Sequence, residues 1–170
     1  MTTAVPAVRN AVWHWLEKYE AGDKVLVAVS GGADSLALAY ALAVEAKKLA
    51  ITVIGVTVDH QLQPQSAVQA ERVMHQLSEM QLTCIVKKVN VDITDGLEAS
   101  ARKARYQAIE EVVQQENAVA VFLGHTKDDQ AETVLLGLAR GSGTRSLSEM
   151  AHHNGIYVRP LLEITRDQSE

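Results

Sequence analysis

Apolar positions along the chain follow two alternating rhythms. Near the N-terminus Val8, Val12, Trp15 and Leu16 recur at the spacing of one helix face, which predicts an amphipathic helix. Val25 to Val29 is then a short valine-rich run, bounded by Gly22-Asp23-Lys24 before it and Gly31-Gly32 after it, the pattern of a buried strand. Helical spacing returns from Leu36 to Leu49, carried by Leu36, Leu38, Ala39, Leu42, Ala43 and Ala46. The alternation continues with a strand at Ile51 to Val58, a helix near Gln65 to Met80, a strand at Thr83 to Val89 and a helix near Leu97 to Gln115. A strand at Ala118 to Leu123 and a helix near Asp128 to Ala139 follow, and Tyr157 to Leu162 reads as a short strand ended by Pro160. Repeated strand–helix units predict an α/β fold with a Rossmann-like parallel sheet covered by helices on both faces. No repeat, low-complexity tract or linker interrupts the pattern, so residues 1–170 read as one domain. Sites in such folds lie at the carboxyl ends of strands, which directs attention to Ser30–Ser35, Asp59–Gln65 and Gly124–Glu132.

Composition narrows the class. With 170 residues, 47% hydrophobic and 22% charged, the chain has the makeup of a globular protein with a substantial core. The first residues carry no basic region ahead of an apolar stretch, no run reaches membrane-spanning length, and the single cysteine, Cys84, lies in a strand-like run as a buried thiol would. A cytoplasmic protein without a membrane partner is the expectation. The net charge of −5 supplies no global attraction to nucleic acid, so an RNA partner needs a local basic patch. Arg102, Lys103 and Arg105, followed by Tyr106, are the candidate; with Glu98 one turn before Arg102, they equally suit a solvated helix face.

The turn after the first strand, Ser30-Gly31-Gly32-Ala33-Asp34-Ser35, is the sharpest chemical signal. Glycines let backbone N–H groups converge on an anion, the free end of the following helix adds its dipole, and Ser30 and Ser35 add hydroxyls. A plain strand-to-helix turn would explain the glycine pair alone, but not the whole pattern. The lysine of a Walker A loop is missing, and Asp34 stands in its place. An acid beside phosphates repels them unless a divalent cation intervenes, so Asp34 is expected to hold Mg²⁺ against a pyrophosphate; the alternative is an acid that only complements the helix dipole. The dinucleotide fingerprint GxGxxG is also absent, which disfavours hydride chemistry.

A second block, GHTKDDQAET, packs His125, Asp128, Asp129 and Glu132 into eight residues after a predicted strand. Thr126 suits a helix cap with Asp129 at its third position, and acids are common in first turns. Asp129 and Glu132 nevertheless share a helix face, and His125 precedes them at a strand's carboxyl end. A histidine and carboxylates beside a phosphate cradle can bind Mg²⁺, order an amine or shuttle a proton, and His125 is the better proton carrier. Downstream, Gly141 suits a helix C-cap and Arg140 the negative end of the dipole, while the glycine-rich run to Arg145 also suits a basic loop over a site. His152 and His153 sit in a polar stretch without a metal-ligand spacing and read as exposed.

SGGADS, VDHQLQ, EASARKARY, GHTKDDQAETVLLGLARGSG and RPLLEITR, in this order, resemble the catalytic domain of the tRNA(Ile)-lysidine synthases, within the PP-loop ATP pyrophosphatase superfamily. SGGxDS marks the superfamily, and the GHxxDDQxET block with RGSG is the more specific signature. The resemblance implies ATP-dependent joining of lysine to C2 of the wobble cytidine in tRNA(Ile) with a CAU anticodon, through an adenylated intermediate, with release of pyrophosphate and AMP. It implies ATP and Mg²⁺ as cofactors, and tRNA(Ile) and L-lysine as partners; a homodimer stays open. Ser30, Gly31, Gly32, Ala33, Asp34 and Ser35 match the ATP-binding loop. Asp34, His125, Asp129 and Glu132 match the catalytic block, with Asp34 and Asp129 the metal candidates, and Arg102, Arg105 and Arg140 are the tRNA or lysine contacts.

The chain departs from this pattern in places. The family's HGLR after the second strand is His60-Gln61-Leu62-Gln63 here, Thr126 replaces a second histidine, and Lys127 stands where an apolar residue is usual. It stops at Glu170, soon after RPLLEITR, so the expectation is a truncated domain without the helical region with which the family grips tRNA. Another PP-loop enzyme, a tRNA thiolase or an amidotransferase-type synthetase, is one competitor, although a cytidine thiolase of the paired-cysteine kind needs more than Cys84. A non-catalytic ATP-binding module is the other, and it has no use for the acidic block.

Overall fold

The computed structural model describes residues 4–94, 96–125 and 153–162. The helix predicted from Asp128 to Ala139 lies outside them. Helix α1 (Ala4–Leu16) has Pro6 in its first turn, where a missing N–H costs no helical bond, and buries Val8, Val12 and Leu16. Its partner is α2 (Ala33–Lys48), joined through Arg9 Nε donating to Glu45 Oε1 at 2.6 Å; within α2, Lys48 Nζ donates to Glu45 Oε2 at 3.0 Å. Burial alone would raise the Glu45 pKa, but hydrogen bonds and charge from Arg9 and Lys48 prevail and hold it below the usual carboxylate value.

Strands β1 (Lys24–Ala28), β2 (Thr52–Asp59), β3 (Thr83–Lys88), β4 (Ala120–Phe122), β5 (His153–Asn154) and β6 (Tyr157–Val158) form one sheet in the order β3-β2-β1-β4-β6-β5. All neighbouring pairs are parallel except β5 with β6, a hairpin around Gly155. That hairpin is not foreshadowed in the sequence pattern, because two-residue strands are too short to show periodicity. The β1 register, Val25 opposite both Val53 and Ala120, places it at the centre.

Alternate residues of β1 enter opposite cores, as a strand covered on both faces requires. Val25, Val27 and Val29 pack with α1, α2 and α3 (Ser66–Glu79), whereas Leu26 packs with Ile109 and Val112 of α4 (Leu97–Glu116). The predicted parallel sheet between helical layers is therefore present. Chain order runs outward from β1 to β2 and β3, then returns across the sheet to β4. The strand order thus reverses between β1 and β4, where the outgoing turns diverge and leave a crevice.

Candidate functional site

Helix α2 begins three residues earlier than its apolar periodicity, at Ala33, so Asp34 and Ser35 lie in its first turn and Gly32 is the N-cap. Among the described residues no side chain caps this end, and a helix N-terminus of this kind attracts anions. Gly31, at φ +96°, makes the turn possible; Gly32, at φ −73°, occupies a conformation open to any residue. Of the two glycines, only Gly31 uses a backbone angle closed to other residues.

The two serines brace the loop from inside. Ser30 N–H donates to Ser35 Oγ at 3.2 Å, and Ser35 Oγ–H donates in turn to the Gly32 carbonyl at 3.0 Å. Gly32 N–H reaches Ser30 Oγ at 3.4 Å, and Gln69 Nε2 of α3 donates to the Ser30 carbonyl at 3.5 Å. Ser35 is buried, so its hydroxyl shapes the cradle, while Gly32 and Ala33 form its exposed lip.

The turn after β4 lies directly against this helix end. A Cβ on Gly124 would stand 3.1 Å from Ser35 Cα and 3.2 Å from Ser35 N, a gap that glycine fits without displacement. This approach brings His125 to the cradle. The two sequence blocks, about ninety residues apart in the chain, meet at the strand reversal. His125 Nδ1 accepts a hydrogen bond at 3.3 Å from Nε of Arg159, a side chain only 2% exposed at the end of β6. Arg159 appeared in the sequence only within a motif; its signal was a cation between Val158 and Pro160-Leu161-Leu162 in an otherwise apolar run.

Together these elements enclose a cavity of about 640 Å³, bordered by Gly32, Asp34, His60, Gln69, Arg105 and His125. Its size suits a nucleotide. On the β2 side, Asp59 is buried and its Oδ1 accepts the Gln61 N–H at 2.9 Å, while Gln61 Nε2 reaches the Val89 carbonyl at 3.2 Å. Gln61 has φ +57°, the left-handed conformation that the glycine of HGLR would adopt at no steric cost. His60 Nδ1 is buried without a hydrogen-bond partner among the described residues. Burial first, and the Arg105 charge second, depress the His60 pKa against an opposing pull from Asp59.

The two described arginine candidates separate. Arg105 borders the cavity, whereas Arg102 is one turn earlier on α4; their guanidinium carbons lie 5.3 and 5.5 Å from the Tyr106 ring centre. Tyr106 in turn meets Tyr157 edge to face at 5.2 Å, and Tyr157 Oη–H donates to Glu110 at 3.3 Å. Burial of Tyr157, reinforced by Glu110, pushes its pKa well above the ordinary tyrosine value. Asp129, Glu132 and Arg140 lie outside the described residues. Among the described residues no cluster of three or more metal-ligating side chains occurs, and no helix is long and apolar enough to cross a membrane.

A parallel sheet reversing beside a glycine cradle with an acid at its lip defines a nucleotide-binding α/β protein of the PP-loop type. The chain belongs to the PP-loop domain family, whose profile matches residues 6–170. It is 51% identical over 163 residues to the tRNA(Ile)-lysidine synthase of Thermobifida fusca, covering 95% of this chain and 50% of that protein. It is 55% identical over 146 residues to the tRNA(Ile)-lysidine synthase of Streptomyces coelicolor, covering 84% of this chain and 42% of that protein. The chain thus spans about half the length of the curated relatives it matches. Among solved structures, the U34-tRNA thiolase NcsA of Methanococcus maripaludis shares the fold with a TM-score of 0.80 at 20% identity, over 95% of this chain and 59% of that one. An NH3-dependent NAD synthetase from Campylobacter jejuni shares it at a TM-score of 0.63 and 13% identity, over 99% of this chain and 69% of that one.

Proposed function

We propose that the protein carrying this chain is a ligase that attaches lysine to C2 of the wobble cytidine in a tRNA(Ile) with a CAU anticodon, using ATP. The observation that carries this reading is the extended identity to proteins named tRNA(Ile)-lysidine synthase, over 95% of the chain in one case. The geometry supports its first half. A cradle of helix N–H groups beside a cavity of about 640 Å³ suits the phosphates and nucleoside of ATP.

In the proposed chemistry the oxygen on cytidine C2 attacks the α-phosphorus of ATP, the bond between the α-phosphorus and the bridging oxygen breaks, and pyrophosphate departs. The lysine amine then adds at C2, the C2–O bond breaks, AMP leaves with that oxygen, and the amine loses its proton. The cradle stabilises the charge that accumulates on pyrophosphate, because its donors are already oriented. Asp34 sets a carboxylate at the same lip, a juxtaposition of anions that fits a divalent cation. Mg²⁺, when held by Asp34 with Asp129, would neutralise phosphate charge. Asp129 and Glu132 are proposed to act as catalytic carboxylates with His125, and Arg102, Arg105 and Arg140 to contact tRNA or lysine. The reading makes residues 1–170 one PP-loop domain and places the protein in the cytoplasm, where tRNA, ATP and lysine are together.

The test is pyrophosphate release by the complete protein supplied with ATP, Mg²⁺, lysine and tRNA(Ile). Release is expected to require the tRNA, and AMP release to require lysine as well. Turnover indifferent to both would sink the lysidine reading. Asp34→Ala is expected to lower turnover by at least about 100-fold, about 2.7 kcal/mol of barrier, with the fold unchanged.

A further inference from the structure

Arg105 borders the cavity, and among the described residues it makes no hydrogen bond or ion pair. Its neighbours one turn away on α4 are Ala101, Arg102, Ala108 and Ile109, so no carboxylate stands at helical spacing to take it. Its partner is an aromatic ring: the guanidinium carbon lies 5.3 Å from the centre of Tyr106. The difference is chemical. A carboxylate would occupy the in-plane N–H fork, whereas a ring attracts the charge and leaves that fork for an oxygen acceptor. Tyr106 is itself seated from the sheet. Tyr157, in register with Val121 of β4, meets it edge to face at 5.2 Å, and Tyr157 Oη–H donates to Glu110, one turn beyond Tyr106 on α4. The Tyr106 ring packs on the core that holds Leu26 and Ile109, while its hydroxyl is buried with no hydrogen-bond partner among the described residues. The fold therefore uses the ring and not the hydroxyl. The charge held there reaches the β2 side of the cavity, where Arg105 is the second cause, after burial, of the depressed His60 pKa.

We propose that Tyr106 is a positioning residue whose ring holds the Arg105 guanidinium at the cavity wall with its N–H donors unspent, so that they meet an anionic oxygen pair of a substrate. The substrate half rests on the reading of Arg105 as a tRNA or lysine contact; the coupling of ring and guanidinium does not. A phosphate of tRNA or ATP and the carboxylate of lysine present the same chemistry, two oxygens sharing negative charge, which a guanidinium takes bidentately.

The test is a double-substitution cycle on the complete protein, read as pyrophosphate release, with proton resonance spectroscopy of the Arg105 side chain alongside. The Tyr106 ring current should shift the Arg105 side-chain protons; Tyr106→Phe should keep that shift, and Tyr106→Leu should abolish it. In turnover, Arg105→Met is expected to lower kcat/KM about 100-fold and Tyr106→Leu about tenfold, while Tyr106→Phe stays within about threefold of the wild type. In the double variant Tyr106→Leu should add less than about twofold to the loss from Arg105→Met, because a ring without its guanidinium has nothing left to position. Both single variants should change the same kinetic parameters, and a raised KM for lysine, for tRNA or for ATP marks which of them supplies the oxygens. Tyr106→Met, closer in shape to a flexible core filler, serves the same arms if Tyr106→Leu does not fold. Fully additive losses, or an Arg105 shift indifferent to loss of the ring in a folded protein, would overturn the proposal. Non-additive losses in a protein whose pyrophosphate release ignores tRNA and lysine would instead refute the lysidine reading and support the positioning role.

Discussion

The turns after β1 and β2 leave the same edge of one sheet and border the same cavity, yet one is open and the other closed on itself. After β1 the chain turns through Gly31 into α2, whose start no described side chain caps. After β2 the buried Asp59 takes the Gln61 N–H, and the Gln61 side chain is tied to the segment following β3. Position on the sheet therefore does not decide what a turn binds. What differs is how each turn is held: the first is braced by the Ser30 and Ser35 hydroxyls beside a helix N-terminus that no described side chain caps, and the second is tied back by Asp59 and by a tether to Val89.

The largest separation of the two turns is expected from the paired variants Gly31→Ala and Gly32→Ala. At φ +96° an alanine costs about 1–3 kcal/mol of stability, and its methyl also falls on the Gln69 side chain. Gly31→Ala should therefore lower both the unfolding midpoint and ATP affinity. At Gly32 the new methyl would meet, among the described residues, only Ser30 Oγ, at 3.6 Å, and φ is ordinary. Its stability should match or slightly exceed that of the wild type, while the methyl on the lip reduces ATP affinity about tenfold or more, about 1.4 kcal/mol, by titration calorimetry. Retained affinity in Gly32→Ala would mean that the phosphates do not sit on that lip.

Next in size is Asp59→Ala, which leaves the Gln61 N–H without its acceptor in a turn already held at φ +57°. The expected loss is about 1–3 kcal/mol in the urea midpoint, with a smaller effect on ATP affinity. The reverse outcome, an unchanged midpoint and lost affinity, would break the comparison by making the second turn a binding surface like the first.

The first turn was readable because its signals are local. Strand, glycine pair and helix follow one another, and the absent lysine at Asp34 directs the chemistry. The alternation of strands and helices was equally readable, since burial on both faces demands continuous apolar runs such as Val25–Val29. What sequence could not display were relations across the sheet. At Gly124 a Cβ would stand only 3.1 Å from Ser35 Cα, and the buried Arg159 meets His125; neither pair lies within ten residues in the chain. Gln61 looked like the loss of a family glycine, yet at φ +57° it takes a conformation that suits glycine and adds a tether to Val89.

The smallest expected effect concerns His60, in the closed turn. Its pKa in the folded protein lies below the ordinary 6.5, mainly through burial and then through Arg105. On acidification the unfolded chain therefore takes up a proton before the folded one does. The contribution of His60 to stability is complete above the unfolded pKa and is lost as pH falls through the lower, folded value. His60→Gln cannot titrate, so its stability should fall less than that of the wild type between about pH 8 and about pH 5.5, measured by urea unfolding at each pH. Saturating ATP should steepen the wild-type dependence if the nucleotide buries His60 further, because a more depressed pKa enlarges the proton uptake on unfolding. Identical pH slopes for the two proteins would show that the ring is as solvated in the fold as in the open chain, and the closed turn would then be less closed than its hydrogen bonds indicate.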